Sequence, residues 1–311
     1  MMSMADRDGL IWMNGELIPW REAQVHVLTH TLHYGMGVFE GVRAYPTEQG
    51  PAIFRLGDHT RRLFDSARIL NMRLPDTPET LNQAQQDVIR ANHLDGAYIR
   101  PMCFYGPEGM GLRADNLQVH CIVAAWPWGA YLGTESLERG IRVRTSSYTR
   151  HHVNITMCKA KANGNYMNSM LALQEALASG VDEAMLLDNE GYVTEGSGEN
   201  IFLVREGVLY TPELTSALDG ITRRSILTFA AEAEIPVKEK RITRDEVYIA
   251  DEAFFTGTAA EVTPIREVDG RVIGDGDRGP ITKRLQTRYF DAVHGRLPAY
   301  QEWLTPIGRN P

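Results

Sequence analysis

Lys159-Ala160-Lys161-Ala162-Asn163-Gly164-Asn165-Tyr166 sets two lysines among small residues and ends on a tyrosine at the edge of an apolar helix. Taken alone, the octapeptide reads more simply as two helix-edge lysines in solvent. Further along come Glu195-Gly196-Ser197-Gly198-Glu199-Asn200 and then Gly257-Thr258-Ala259-Ala260-Glu261. A lysine that attacks an aldehyde must be neutral, so its ordinary pKa near ~10.4 has to be lowered by burial or by a cationic neighbour. Small neighbours permit that burial, and Lys159 offers a second positive charge. A carboxylate between glycines, ahead of a buried-looking strand, suits a protonated pyridine nitrogen. Gly220-Ile221-Thr222 opens a helix, and helix N-termini bind phosphate through their unsatisfied N–H groups. Gly257-Thr258 adds a possible second phosphate-binding turn. Lysine, carboxylate and phosphate cradle together point to a Schiff-base site for pyridoxal phosphate.

The remainder of the chain alternates short strands and helices. Asn14-Gly15 between Ile11-Trp12-Met13 and Glu16-Leu17-Ile18 predicts a two-residue hairpin turn. His26, His30 and His33 invite a zinc reading, but no acidic residue or cysteine nearby completes a shell. Gly35, Gly37 and Gly41 suggest close backbone approach, a pocket wall or a bend. A helix is expected over 58–73 with Asp58 as N-cap, decorated by Arg61, Arg62, Arg68 and Arg73. Most of these arginines read as a solvated face, and one could meet a phosphate. Thr77-Pro78 opens a second helix running to about His93.

Residues 97–105 and 117–126 read as strands, with Tyr98 and Arg100 projecting to one face. An arginine in an apolar strand needs either a structural ion pair or an anionic ligand. Gly106 to Asp115 is a glycine-rich loop suited to a pocket mouth. Further strands are expected at 141–147, 183–187, 200–204, 208–210, 252–257 and 262–266, and helices at 165–180, 221–234 and 281–294. The mixture predicts a mixed α/β (α+β) protein of two domains, 1–126 and 137–311, joined by a linker at 127–136.

Composition narrows the function. The 311 residues are 43% hydrophobic and 23% charged, an ordinary globular balance. A net charge of −8 without a Lys/Arg run argues against nucleic acid. No apolar run reaches the ~18 residues that span a membrane, and no secretory signal opens the chain. Cys103, Cys121 and Cys158 lack metal-ligand spacing and read as buried thiols of a reducing, cytoplasmic compartment. Cys158 lies close enough to Lys161 in sequence to line its site, although packing is the simpler role.

At this point the sequence resembles the branched-chain amino acid aminotransferases, fold-type IV pyridoxal-phosphate enzymes. The resemblance covers nearly the whole chain. It rests on His33-Tyr34-Gly35, Val38-Phe39-Glu40-Gly41-Val42-Arg43, Ala97-Tyr98-Ile99-Arg100-Pro101, Ala162-Asn163-Gly164-Asn165-Tyr166, Thr194 to Asn200 and Thr256 to Glu261. It implies a smaller N-terminal α/β domain and a larger cofactor-binding domain with a barrel-like sheet. Lys161, five residues before the tyrosine, is then the Schiff-base lysine, and Lys159 is not. Tyr166 meets the ring oxygen, Glu195 the pyridine nitrogen, and Leu218 packs on the ring. Arg62, Ile221, Thr222, Gly257 and Thr258 hold the phosphate.

Tyr34, Phe39 and Tyr131 form an apolar wall, Arg100 meets the distal carboxylate of glutamate, and Tyr98 with the Thr258-Ala259 backbone takes the α-carboxylate. Where the family usually has a glycine, this chain has Asn163. The implied reaction is ping-pong transamination of leucine, isoleucine or valine with 2-oxoglutarate by a homodimer or dimer-based homo-oligomer, without a metal. D-amino acid aminotransferases, (R)-amine transaminases and aminodeoxychorismate lyases share the lysine and glutamate. The Tyr98-Ile99-Arg100 strand favours the branched-chain group.

Overall fold

The computed structural model describes residues 3–129 and 133–308. The chain forms two compact units that are not contiguous in sequence. Met1–Trp128, Ala160–Gly164 and Val293–Pro311 make the first; Gly129–Lys159 and Asn165–Ala292 make the second. The expected single division at 127–136 differs in two places. Ala160–Gly164 joins the first unit because its backbone pairs there: Val38 bridges Ala162, and Phe39 N–H donates to Lys161 O at 3.1 Å. The last residues join because a C-terminal strand enters the first sheet. Part of the expected linker is helix (Thr134–Arg139).

In the first unit, β1 (Leu10–Met13) and β2 (Glu16–Pro19) form the expected hairpin, with Asn14 and Gly15 both at positive φ, as a type I′ turn requires. They extend a sheet made of β3 (Gly37–Phe39), β4 (Val42–Thr47), β5 (Gly50–Phe54), β6 (Ala97–Tyr105) and β7 (Val119–Trp126). The C-terminal strand Leu304–Pro306 pairs with β5. Helices Leu56–Ile69 and Pro78–Ala91 supply Leu63, Ala67, Leu81, Val88 and Ile89 to a core shared with Ile53, Ile99 and Val123. Thr77 caps the second helix by accepting the Thr80 N–H at 3.2 Å. Asp58 is not the N-cap of the first. Arg55 holds that position in the left-handed conformation, and its Nε donates to Asp58 inside the first turn at 2.6 Å. Cys103 and Cys121 face each other across β6 and β7 as buried free thiols.

In the second unit, β8 (Ile141–Thr145), β9 (Glu183–Leu187), β10 (Val193–Gly196), β11 (Asn200–Arg205), β14 (Glu252–Gly257) and β15 (Glu261–Val268) close into a six-stranded barrel. Between β11 and β14 in sequence, β12 (Val208–Thr211) and β13 (Val237–Glu239) continue from β11. β16 (Arg271–Val272) returns on β15 through the Asp269-Gly270 turn. Leucine, isoleucine and phenylalanine side chains such as Ile201, Phe255 and Ile265 fill this unit.

Glu183 on β9 is fully buried in this unit. Burial pushes the Glu183 carboxyl up from its usual range, against hydrogen bonds from Ala184 N–H and Ser197. The unfolded chain ionises this group near pH ~4, so its charge costs stability at neutral pH, and the cost fades as pH falls through the raised folded value and is gone below about 4. Glu183→Gln is therefore expected to raise stability at pH 7 by on the order of 1 kcal/mol, with the gain lost below about pH 4. Urea unfolding at the two pH values checks it.

Candidate active site

Each unit gathers part of the sequence-predicted set. In the first, Lys161 is fixed through its backbone. Its N–H donates to Ser66 Oγ at 2.9 Å, and its carbonyl accepts from Phe39. Ser66 Oγ in turn donates to Arg62 O at 2.8 Å, so the lysine segment is tied to the helix that carries Arg62. The Lys161 Nζ lies 5.1 Å from the centre of the Phe39 ring, and the Arg100 guanidinium lies 4.7 Å from the same ring. Arg100 Nη2 donates to the Tyr98 hydroxyl at 3.2 Å. No carboxylate among the described residues pairs with Arg100, and its Nε is buried without a hydrogen-bond partner. Of the two readings of that arginine, a structural ion pair is thereby removed.

Glycines make room for this cluster. A Cβ on Gly41 would stand 2.0 Å from the Tyr98 hydroxyl oxygen, and one on Gly35, at φ +71°, 3.3 Å from Gly164 Cα. Gly164 N–H donates to Gly35 O at 3.0 Å, so the segment carrying Lys161 approaches the Tyr34-Gly35 turn backbone to backbone. Gly41→Ala must displace the Tyr98 ring. It is expected to cost about 1–3 kcal/mol by overpacking and to raise KM for substrates, checked by denaturant unfolding and steady-state kinetics.

Arg62 is the helix arginine that turns inward. Its Nε and Nη2 donate to the two oxygens of fully buried Glu40, at 2.6 and 2.8 Å. Arg61, Arg68 and Arg73 are exposed, as the solvated reading expects. Tyr34 is exposed, and its hydroxyl accepts from Gly111 N–H at 3.1 Å. The three histidines serve the loops: His30 Nε2 meets Gly111 O at 2.7 Å, His33 Nε2 meets Val27 O at 2.9 Å, and His26 Nδ1 accepts Leu28 N–H at 3.1 Å. Asn163 sits beside Met102, with Nδ2 at 3.5 Å from the sulfur. Tyr131 lies outside the described residues.

In the second unit, strand register does the gathering. Glu195 on β10 pairs with Asn200 on β11, and Asn200 with Thr256 on β14. This puts the carboxylate and the Gly257-Thr258-Ala259 turn at one end of the barrel. Asn200 Nδ2 donates to Leu218 O at 2.9 Å, and Leu218 N–H donates to Glu195 Oε2 at 3.1 Å. Gly220 packs so tightly on Asn200 that a Cβ would lie 1.9 Å from its Oδ1. The helix Ile221–Glu232 therefore starts, with buried Ile221 and Thr222, beside the same asparagine. Tyr166 opens the helix Tyr166–Ala178.

Sequence reasoning missed Arg150 and assigned Asn200 no part. Arg150 is buried and its Nη2 meets Glu195 Oε1 at 2.7 Å. Lys159 is engaged by a backbone carbonyl. Its ammonium donates to Ala217 O at 2.9 Å, and burial lowers its pKa from the ordinary value. Cys158 is buried, with its thiol against His151 O at 3.6 Å, and burial pushes that thiol up.

The donor set fits pyridoxal 5′-phosphate. Taken by itself, the second unit offers a helix N-terminus and a tight turn that suit a phosphate, and the first offers a guanidinium that suits an anion. Thr256 Oγ1, a buried hydroxyl without a hydrogen-bond partner, lies one residue before that turn. A charge-paired carboxylate suits the pyridine nitrogen.

The amino-transferase class IV family model matches residues 37–268. The chain belongs to the class IV aminotransferases. The protein named branched-chain-amino-acid aminotransferase from Pseudomonas aeruginosa is 68% identical over 306 residues, covering 98% of this chain and all of that protein. The crystal structure of the branched-chain amino acid aminotransferase from Escherichia coli superposes with a TM-score of 0.95 at 46% identity, covering 97% of this chain and all of that one. A further branched-chain amino acid aminotransferase, crystallised with pyridoxamine 5′-phosphate, gives a TM-score of 0.95 at 50% identity, covering 97% of this chain and 99% of that one. This class IV chain thus shares fold and length with an enzyme crystallised around a form of the cofactor that its residues fit.

Proposed function

We infer that this chain is a pyridoxal 5′-phosphate-dependent aminotransferase that exchanges the amino group between branched-chain L-amino acids and 2-oxoglutarate. The observation that carries the substrate reading is the Phe39 ring with the Arg100 guanidinium at 4.7 Å and no carboxylate among the described residues on that arginine. One wall then offers an aromatic surface to an aliphatic side chain and a cation to a distal carboxylate. When bound, the cofactor supplies the electron sink that makes the Cα proton of the amino acid acidic.

The chain's own residues supply the rest. Lys161 anchors the cofactor, and its amine then moves the proton from Cα. Glu195, held by Arg150, would serve the pyridine nitrogen, with Leu218 for the ring and Tyr166 for the ring oxygen. Arg62, Ile221, Thr222, Gly257 and Thr258 would hold the phosphate. Tyr98 and the Thr258-Ala259 backbone would take the α-carboxylate, and Tyr34, Phe39 and Tyr131 would serve the aliphatic side chain.

Exposed Val27, Leu32 and Leu112 support assembly as a homodimer or a dimer-based oligomer. The free thiols support a reducing, cytoplasmic setting.

The test is glutamate formation from 2-oxoglutarate with L-leucine, L-isoleucine or L-valine as donors, set against D-alanine and an (R)-arylalkylamine. Turnover with the L-donors and little with the others is expected. Preferential turnover of a D-amino acid or an (R)-amine would contradict the substrate reading.

A further inference from the structure

Glu40 stands in the Val38-Phe39-Glu40-Gly41 stretch, has no exposed surface, and takes no part in the chemistry above. A buried carboxylate is costly unless both oxygens are engaged. Here both are. Oε1 accepts Arg62 Nε, and Oε2 accepts Arg62 Nη2 at 2.8 Å and His59 Nδ1 at 2.8 Å. A carboxylate cannot donate, so the His59 proton sits on Nδ1. Burial alone would push the Glu40 carboxyl up. The charge and hydrogen bonds of Arg62, with His59, reverse that and hold it well below the usual range. Burial also keeps His59 down, as a neutral donor.

The surroundings fix the carboxylate as firmly. Glu40 N–H donates to Pro101 O at 2.9 Å, and the preceding residue, Phe39, bonds the Lys161 carbonyl. Arg62 O accepts from Ser66 Oγ, which accepts the Lys161 N–H. The plane of the Arg62 guanidinium and the position of Lys161 are therefore set by one hydrogen-bonded frame.

We propose that Glu40 is a positioning residue for phosphate recognition: it takes the Nε–Nη2 edge of Arg62 in a bidentate grip, with His59 locking the carboxylate, so that an incoming phosphate monoester meets Arg62 at its opposite edge in one orientation. The proposal rests on the reading of Arg62 as a phosphate ligand. An unrestrained arginine side chain carries rotamer entropy that an anion must freeze on binding. The grip removes that cost in advance, although it also offsets Arg62's charge. Positioning and neutralisation thus act in opposite directions on phosphate affinity, and the sign of the effect separates them.

The experiment titrates the full-length apo-protein with pyridoxal 5′-phosphate and, separately, with pyridoxal, following the visible band and aromatic fluorescence. The ratio of the pyridoxal dissociation constant to that of pyridoxal 5′-phosphate isolates the phosphate. Glu40→Gln is expected to shrink that ratio roughly tenfold or more, the scale of a charge-assisted hydrogen bond, with pyridoxal affinity unchanged. Arg62→Gln is run alongside, and thermal melting reports folding. Should Glu40→Gln not fold, Glu40→Asp, which keeps the charge but withdraws it from the guanidinium, is expected to shrink the ratio as well. A ratio that stays or grows on changing Glu40, while Arg62→Gln collapses it, overturns the proposal and leaves Glu40 as cement for the helix. A ratio indifferent to Arg62→Gln removes the phosphate reading of Arg62 itself.

Discussion

Replacing Lys161 with alanine is expected to remove the Schiff-base band of the cofactor-loaded protein, so that borohydride no longer fixes the cofactor to the chain, and to lower leucine transamination by about 10⁴-fold, the upper range for a lost proton-transfer group. The fold is expected to survive. Lys161 is held by the Ser66 hydroxyl and the Phe39 N–H, and both bonds use its backbone. Its side chain contributes a contact with the Phe39 ring, and such a contact is worth only about 0.5–1 kcal/mol at a partly open site. The control is Lys159→Ala. That ammonium caps the Ala217 carbonyl, so its loss should loosen the Ala217-Leu218 loop and leave the visible band in place. Spectra and single-turnover rates of the two variants, measured side by side, check the assignment. A band that persists in Lys161→Ala and vanishes in Lys159→Ala would exchange the two lysines.

Glu195→Gln is expected to act on both activity and stability. An amide cannot keep a pyridine nitrogen charged, so turnover should fall by about 10²–10³-fold, the scale of one removed electrostatic stabiliser. The same change leaves the Arg150 guanidinium buried without its anion. Removing one partner of a buried ion pair costs about 3–5 kcal/mol, and retained amide contacts place this case at the lower end. Adding Arg150→Met to Glu195→Gln should recover stability, because an apolar side chain of similar volume replaces an unpaired charge. It should not recover turnover. Denaturant unfolding and kcat on the single and double variants separate the two effects. A double variant that regained turnover would show that Glu195 serves the fold and not the chemistry.

The parts of this molecule that could be read in the sequence are those decided by neighbours in the chain. Asn14-Gly15 dictates its turn because both residues tolerate positive φ, and Thr77-Pro78 dictates a helix start by capping and a preset backbone. Long-range pairing left weaker traces. Residues 160–164 carry no strand pattern, yet two backbone bonds and a bridge draw them to the first sheet. The short strands β3 and β10 are too brief to show a period, although β10 places Glu195 in register with Asn200.

The helix start at Arg55 was hidden because its left-handed conformation is stabilised by contacts outside the segment, among them its N–H to Trp303 O at 2.6 Å. For the site, residue types were legible and partners were not. Lysine, glutamate and the glycine turns announce their chemistry. Which arginine turns inward depends on Glu40, twenty-two residues away in sequence. Arg150 stands in a polar stretch, Thr149-Arg150-His151-His152, where nothing local distinguishes a buried ion-pair partner from a solvated charge.

One visible spectrum decides whether Lys161 and Glu195 serve a cofactor that carries amino groups from branched-chain amino acids to 2-oxoglutarate. The purified protein is recorded before and after addition of L-leucine, and again after 2-oxoglutarate. A yellow band that bleaches with L-leucine and returns with 2-oxoglutarate is expected, so that both half-reactions are seen in one cuvette. A band that ignores L-leucine, or the absence of any band after pyridoxal 5′-phosphate is supplied, would contradict that assignment.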